Sequence, residues 1–204
     1  KERQMKNKIV FLDIDGVLNN EHYFKSLSLE TMSQEEKRNF HCSLWGNIDP
    51  KCYLCFVNAM KQVDADAVVS SSWRDDNSST FFMRNKTADI LADSLKKDGI
   101  NVIGATPEWS SFASKEDIKM FYNASSQKDY VQKHVFGRAA EIYQWIKVNN
   151  FSGKWCAIDD DTYDMYPIQK SGQLIQTSWY YIGDKDTGGF TSVQAEKLIS
   201  FFKE

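Results

Sequence analysis

The feature that most constrains this chain is the segment KIVFLDIDGV, residues 8–17. From Lys8 to Asp13 it has the β-branched and aromatic make-up and the length of a buried strand, yet it runs out onto two carboxylates, Asp13 and Asp15, and then Gly16. Side chains alternate along a strand, so Asp13 and Asp15 point the same way wherever the extended geometry persists. They stand at the carboxyl end of the first strand, which is where open α/β sheets bind ligands. Two carboxylates that close repel unless one is protonated or a cation lies between them, and an all-oxygen site suits a hard cation such as Mg²⁺. The competing reading is a plain turn, for which Asp and Gly are common; Gly16 permits a tight exit in either case.

The rest of the chain repeats a strand and helix alternation. Asp49-Pro50 reads as an N-cap with proline at the first helical position, and Tyr53, Phe56, Val57 and Met60 then form one apolar stripe. A second strand is predicted from Ala65 to Ser70, a helix through Ala88, Leu91, Ala92 and Leu95 stopping near Gly99, and a short strand from Asn101 to Gly104. Ala139, Ile142, Tyr143 and Ile146 mark a further helix, and Lys154 to Asp159 and Gln173 to Thr177 two more strands. Thr191-x-x-Gln194 is a capping box ahead of a last helix carried by Ala195, Leu198, Ile199 and Phe202. This order predicts an α/β fold with a mainly parallel sheet and helices on both faces.

Two stretches break the pattern. Residues 19–48 and 106–136 are polar, spotted with aromatics and too long for ordinary connections, so they are expected as small insertions on a single domain spanning 1–204. Met5 is a candidate native start, with the four residues before it extraneous. A net charge of -3 gives no footprint for wrapping duplex DNA or coating an anionic membrane. No apolar run approaches the roughly 18 residues of a membrane span, and the expectation is a soluble, cytoplasmic protein. Four cysteines are too few and too scattered for a disulfide framework; Cys52 and Cys55 fall inside a predicted helix and read as structural thiols rather than zinc ligands.

A second acidic tip strengthens the functional reading of the first. CAIDDDTYD, residues 156–164, is again an apolar strand ending in carboxylates, Asp159, Asp160 and Asp161, with Asp164 four residues after Asp160. Two strand ends of one parallel sheet, both acidic, concentrate negative charge in one crevice at a cost that a metal ion removes. Between them VVSSSWR ends the second strand on hydroxyls, and GRAAEIYQWI places Arg138 near a helix start. Hydroxyls and a forked guanidinium are what phosphate oxygens require.

In that order these motifs resemble the haloacid dehalogenase (HAD) superfamily of phosphohydrolases. The fuller set FLDIDGVLN, SSSWR, RAAEIYQWI, AIDDD and GGFTSVQAEKLI is similar to the HAD domains of Swiss Army Knife RNA repair proteins, from about Lys8 to Phe202. The resemblance implies a Rossmann-like three-layer sandwich with small caps. It implies Asp13 as a nucleophile forming an aspartyl phosphate, and Asp15 as the acid and base two residues on. It implies Mg²⁺ held by Asp13, the backbone carbonyl of Asp15 and a fourth-motif acid, Asp160 or its rival Asp159, with Asp164 in support. The phosphate-binding hydroxyl falls on Ser71 or Ser70, and the basic residue, more often lysine in the superfamily, on Arg138 or Lys133.

The function expected is a Mg²⁺-dependent phosphomonoesterase acting on a nucleotide or similar small phosphate ester. A polynucleotide end phosphatase, a phosphotransferase and a non-catalytic HAD-like binding module stand as alternatives. Trp73 and Arg74 either line the entrance or are a packed indole beside a surface arginine. Aromatics of the insertions, among them Tyr23, Phe24, Trp45, Trp109 and Phe121, either stack on a base or anchor the insertions to the body. Lys115, Lys119, Lys128 and Lys133 offer a modest phosphate-tracking surface, while Asp184 and Asp186 read as a solvated turn.

Overall fold

The structure, a computed structural model, describes residues 5–74, 82–123 and 133–203. Five strands form one all-parallel sheet in the order β3-β2-β1-β4-β5. They are β1 (Lys8–Leu12), β2 (Asp66–Val69), β3 (Val102–Ala105), β4 (Lys154–Asp159) and β5 (Leu174–Gln176). The chain is therefore α/β with a Rossmann-type layering, as the alternation of patterns required. β1 lies at the centre, and Ile9 through Leu12 are fully buried. This explains why its apolar residues run without interruption instead of alternating with polar ones.

Parity along the strands sorts the two faces. Val10, Leu12, Ala67, Cys156 and Ile158 pack with α3 (Pro50–Val63), α4 (Phe82–Lys97) and α8 (Ser192–Lys203). Ile9, Phe11, Val68 and Ala157 pack with α6 (Gly137–Val148) and α7 (Tyr166–Lys170) through Ala139, Ile142, Trp145 and Ile168. Asp13 and Asp159 continue the second set, so the chain end that carries them faces the start of α6.

Local chemistry accounts for the principal helix boundaries. The Asp49 carboxylate accepts the Lys51 N–H at 2.8 Å, Pro50 opens α3, and Asp64 closes it in the left-handed region. The expected box at Thr191 is half built. Gln194 Oε1 accepts the Thr191 N–H at 3.1 Å, but the Thr191 hydroxyl accepts from Val193, one residue earlier than the box requires. Strand ends differ from the sequence reading by about a residue, because pairing with a neighbour, not composition, decides where a ladder stops.

The stretch 19–48 holds α1 (Glu21–Ser26), α2 (Gln34–His41) and a 3₁₀ turn, Leu44–Gly46. Within 106–136 lie a 3₁₀ turn, Trp109–Ser111, and α5 (Lys115–Asn123). Rings of both stretches anchor them: Trp45 meets Tyr53 of α3, Phe24 meets Tyr180, and Phe136, packed with Trp109 and Phe121, meets Tyr163. Lys128, the side chain of Ala88 and the four residues before Met5 lie outside the described residues. Among the described residues no helix is long and apolar enough to cross a membrane.

Candidate active site

The register of the central strands brings the two acidic tips together. Leu12 pairs with Ile158, and the Asp13 N–H extends the ladder by one rung, donating to the Ile158 carbonyl at 3.0 Å. Oxygens of Asp13, Asp159 and Asp160 consequently lie within 4.8 Å of one another. All three residues are buried, at 6%, 5% and 9% exposure. Burial is the main reason each holds its proton more tightly than a free carboxyl. Asp13 is pushed up to about 7 by desolvation, which outweighs the opposing Arg138 charge, with the Asp15 charge adding to the rise. Burial and the Asp13 charge push Asp159 well up, and burial raises Asp160 against a 2.7 Å hydrogen bond from the Tyr180 N–H. Clustered acids that resist ionisation, offering oxygen donors only, fit a hard divalent cation, which would favour the ionised forms.

Asp15 is placed differently from the expectation of a matched pair. The extended run ends at Leu12, the chain turns at Gly16, and the Asp15 carboxylate is not one of the three that converge. Its oxygens accept from Asn19 Nδ2 and from Trp73 Nε1, each at 3.0 Å. Asn19 in turn accepts the Gly16 N–H and donates to the Asn47 carbonyl, so the first insertion helps to hold the turn. Gly16 is obligatory there: its φ is +77°, and a Cβ would stand 2.2 Å from Asp160 Cγ. Trp73 is a packed indole, as one reading had it, but its N–H also orients an acid of the site.

Ser70 and Ser71 close the second strand and are both buried. The Ser71 hydroxyl hydrogen-bonds the Asp13 carboxylate, whereas Ser70 Oγ is buried with no hydrogen-bond partner. Arg138 enters from the first turn of α6. Its Nη2 is 3.7 Å from Asp13 Oδ1 and its Nε 3.8 Å from Asp159 Oδ2, so it faces the acidic cluster from the opposite wall. Burial alone would ease its proton off, but Asp13, Asp159 and Glu141 outweigh that and hold it firmly charged. Lys133, its rival, is exposed upstream of the helix.

Asp164 does not join the cluster. Its Oδ2 accepts the Arg138 backbone N–H at 2.8 Å, fixing the start of α6. Gly137 makes room for it, since a Cβ there would stand 2.1 Å from that same oxygen. The acid four residues beyond Asp160 thus lands on the backbone of Arg138 rather than on the three-acid group.

Glu141 was not foreseen. It is buried, with Oε2 2.6 Å from Arg74 Nη2 and 3.6 Å from Arg138 Nη1, and Oε1 accepting the Trp109 N–H at 2.9 Å. The signal was present as Arg138-x-x-Glu141, a helical ion-pair spacing within a segment otherwise read for its apolar stripe. A cleft of about 330 Å³ opens beside it, lined by Ser72, Arg74, Trp109, Arg138 and Asp164 among others. Arg74 is therefore a cleft residue in a buried pair, not a surface arginine. No cysteine or histidine among the described residues joins a group of potential metal ligands; Cys52 is buried, and burial pushes its thiol up to about 12.

The family described as the HAD domain in Swiss Army Knife RNA repair proteins matches residues 9–183, from β1 through the turn after β5. No curated protein and no solved structure gives a match.

Proposed function

The chain belongs to the HAD domains of Swiss Army Knife RNA repair proteins, and on that premise we propose that it is a Mg²⁺-dependent phosphomonoesterase. The observation that carries the reading is the convergence of Asp13, Asp159 and Asp160 opposite the Arg138 guanidinium. The ester is that of a nucleotide or of a phosphorylated nucleic-acid end; the family's tie to RNA repair supports the latter.

In this reading Ser71 and Arg138 grip the phosphoryl oxygens, and Arg138 is already pulled toward the site by the acids it faces. An Asp13 oxygen attacks phosphorus as the ester P–O bond breaks, and Asp15 gives its proton to the leaving oxygen. Asp15 then takes a proton from a water molecule that attacks the same phosphorus, freeing Asp13 and inorganic phosphate. Asn19 and Trp73 keep Asp15 aimed through both halves. Asp13, Asp160, Asp159 and the Asp15 carbonyl would hold the Mg²⁺, whose contribution when bound is to offset the negative charge of carboxylates and phosphate. The segments 19–48 and 106–136 act as small caps, the second tied to the arginine wall by the Trp109 N–H on Glu141.

Asp13→Asn tests the proposal. The variant is expected to keep the fold and lose turnover of a generic phosphate monoester by at least about a thousandfold, as removal of a nucleophile demands. Wild-type turnover in Asp13→Asn, or wild-type turnover in the presence of a strong chelator, sinks it. Competing alcohol acceptors in the same assay separate transfer to water from transfer to an alcohol.

A further inference from the structure

The turn after β5 presents something no phosphate chemistry requires. Trp179, Tyr181 and Ile182 stand 52%, 61% and 73% exposed in consecutive positions around Tyr180. Tryptophan is on average among the more deeply buried residues, so two large aromatics displayed on one tight turn call for an occupant. The turn is well fixed: the Ile182 N–H donates to the Trp179 carbonyl at 2.9 Å, and the Trp179 and Tyr181 rings meet edge-on with centroids 5.4 Å apart.

The same turn is bonded directly to the acidic site. The Tyr180 N–H donates to Asp160 Oδ2 at 2.7 Å, and just upstream the Thr177 hydroxyl donates to the Gly16 carbonyl at 2.8 Å. Tyr180 is turned inward, its carbonyl accepting the Glu21 N–H and its ring facing Phe24. The inward residue anchors the turn between two acidic tips, and its neighbours are left pointing to solvent beside the site. Tyr163 adds a partly exposed ring on the loop that follows Asp161.

We propose that Trp179 and Tyr181 form a stacking platform for the unpaired bases next to the terminal phosphate of a single-stranded nucleic acid. The inference rests on the phosphohydrolase reading and narrows its substrate from any small phosphate ester to a nucleic-acid end. Continuity with the phosphate site selects the occupant, because a nucleic-acid end joins a phosphoryl group to flat π-faces within one residue. Duplex bases hide those faces, which limits the ligand to single strands. Charge decides the mode of binding. Net charge is -3 and the turn is followed by Asp184, Lys185 and Asp186, so neither an anionic membrane nor simple backbone tracking is favoured and stacking must supply the affinity.

The test is binding of a labelled, end-phosphorylated single-stranded hexanucleotide to the full chain, compared with the same oligomer made abasic at the two positions nearest the phosphate. The intact oligomer is expected to bind about tenfold or more tightly than the abasic one, the size of one stacking contact. Trp179→Ala and Tyr181→Ala each remove most of that preference, Trp179→Phe restores it, and Val148→Ala, exposed on α6, keeps it. An equal affinity for both oligomers in the wild type, or an undiminished base preference in the Trp179→Ala, Tyr181→Ala double variant, overturns the platform. The readout does not need turnover: a base preference lost on substitution supports the platform even where the chain hydrolyses nothing, and that second result counts against the hydrolase alone.

Discussion

Glu141→Gln is the perturbation whose size the structure defines best. One buried carboxylate serves two guanidiniums, and side-chain exposures of 11% for Arg74, 19% for Arg138 and 9% for Glu141 leave little water to replace it. At an effective dielectric near 20, the 2.6 Å contact to Arg74 and the 3.6 Å contact to Arg138 represent about 6 and about 5 kcal/mol of gross attraction respectively. Desolvation offsets most of that, but removing one partner does not recover it. Breaking a buried pair costs about 3–5 kcal/mol because the remaining charge stays buried. Here two positive charges remain, and they already disfavour each other: burial and then the Arg138 charge hold Arg74 below its ordinary value. Glutamine still accepts the Trp109 N–H, so that hydrogen bond is not part of the loss. Glu141→Gln should therefore lower the unfolding free energy by about 3 kcal/mol in urea titrations, with an unchanged slope. Arg74→Met tests the cause, since the double variant should lose less than the sum of the single losses, by about 1–3 kcal/mol. A Glu141→Gln loss under about 1 kcal/mol, or strictly additive losses in the cycle, would show that no buried charge network joins α6 to the end of β2.

Gly16→Ala should be more damaging than its size suggests. Left-handed backbone costs an L-residue about 1–2 kcal/mol, and the new Cβ must displace the Asp160 carboxylate it meets at 2.2 Å; stabilisation by Mg²⁺ in thermal melts should vanish, and a wild-type Mg²⁺ response would refute the contact. The acidic cluster also predicts the direction of a pH effect. Because the folded chain raises Asp13 to about 7, and burial raises Asp159 and Asp160 as well, ionisation of these groups opposes folding: the stability Asp13 contributes is full below the ordinary carboxyl pKa near 4 and is lost as pH rises through about 7, and the other two act in the same direction. Metal-free protein should melt at lower temperature at pH 8 than at pH 5.5, with Mg²⁺ recovering more at the higher pH. Identical melting shifts on adding Mg²⁺ at the two values would contradict it.

Much of the fold was legible because it is written locally. A β-branched run names β1, Asp49-Pro50 names the start of α3, and the interval from Lys154 to Asp159 names β4 with the bounds the structure has. The turn at Asp184 was also readable, its carboxylate accepting from Asp186 and Thr187 as Asx chemistry dictates. Asp13, Ser71 and Arg138 were candidates from residue type and order, and they do meet in space. Asp15 was expected to share the cluster because period-2 alternation was extrapolated past the last paired residue. The chain leaves the sheet there, and alternation lapses without a ladder to enforce it.

By itself, then, the sequence determined the alternation of elements, the parallel sheet they imply and the presence of acids at two strand ends, since each follows from side-chain chemistry within a few neighbouring residues. Tertiary structure alone decided which acids share a cation-sized space, that Trp73 and Asn19 aim Asp15, that Glu141 binds two arginines, and that the turn carrying Trp179 and Tyr181 is bonded to Asp160 through the Tyr180 N–H. Those outcomes depend on the register of β1 against β4 and on turns docked from distant parts of the chain. No local propensity encodes the distance between atoms that meet only after the sheet has closed.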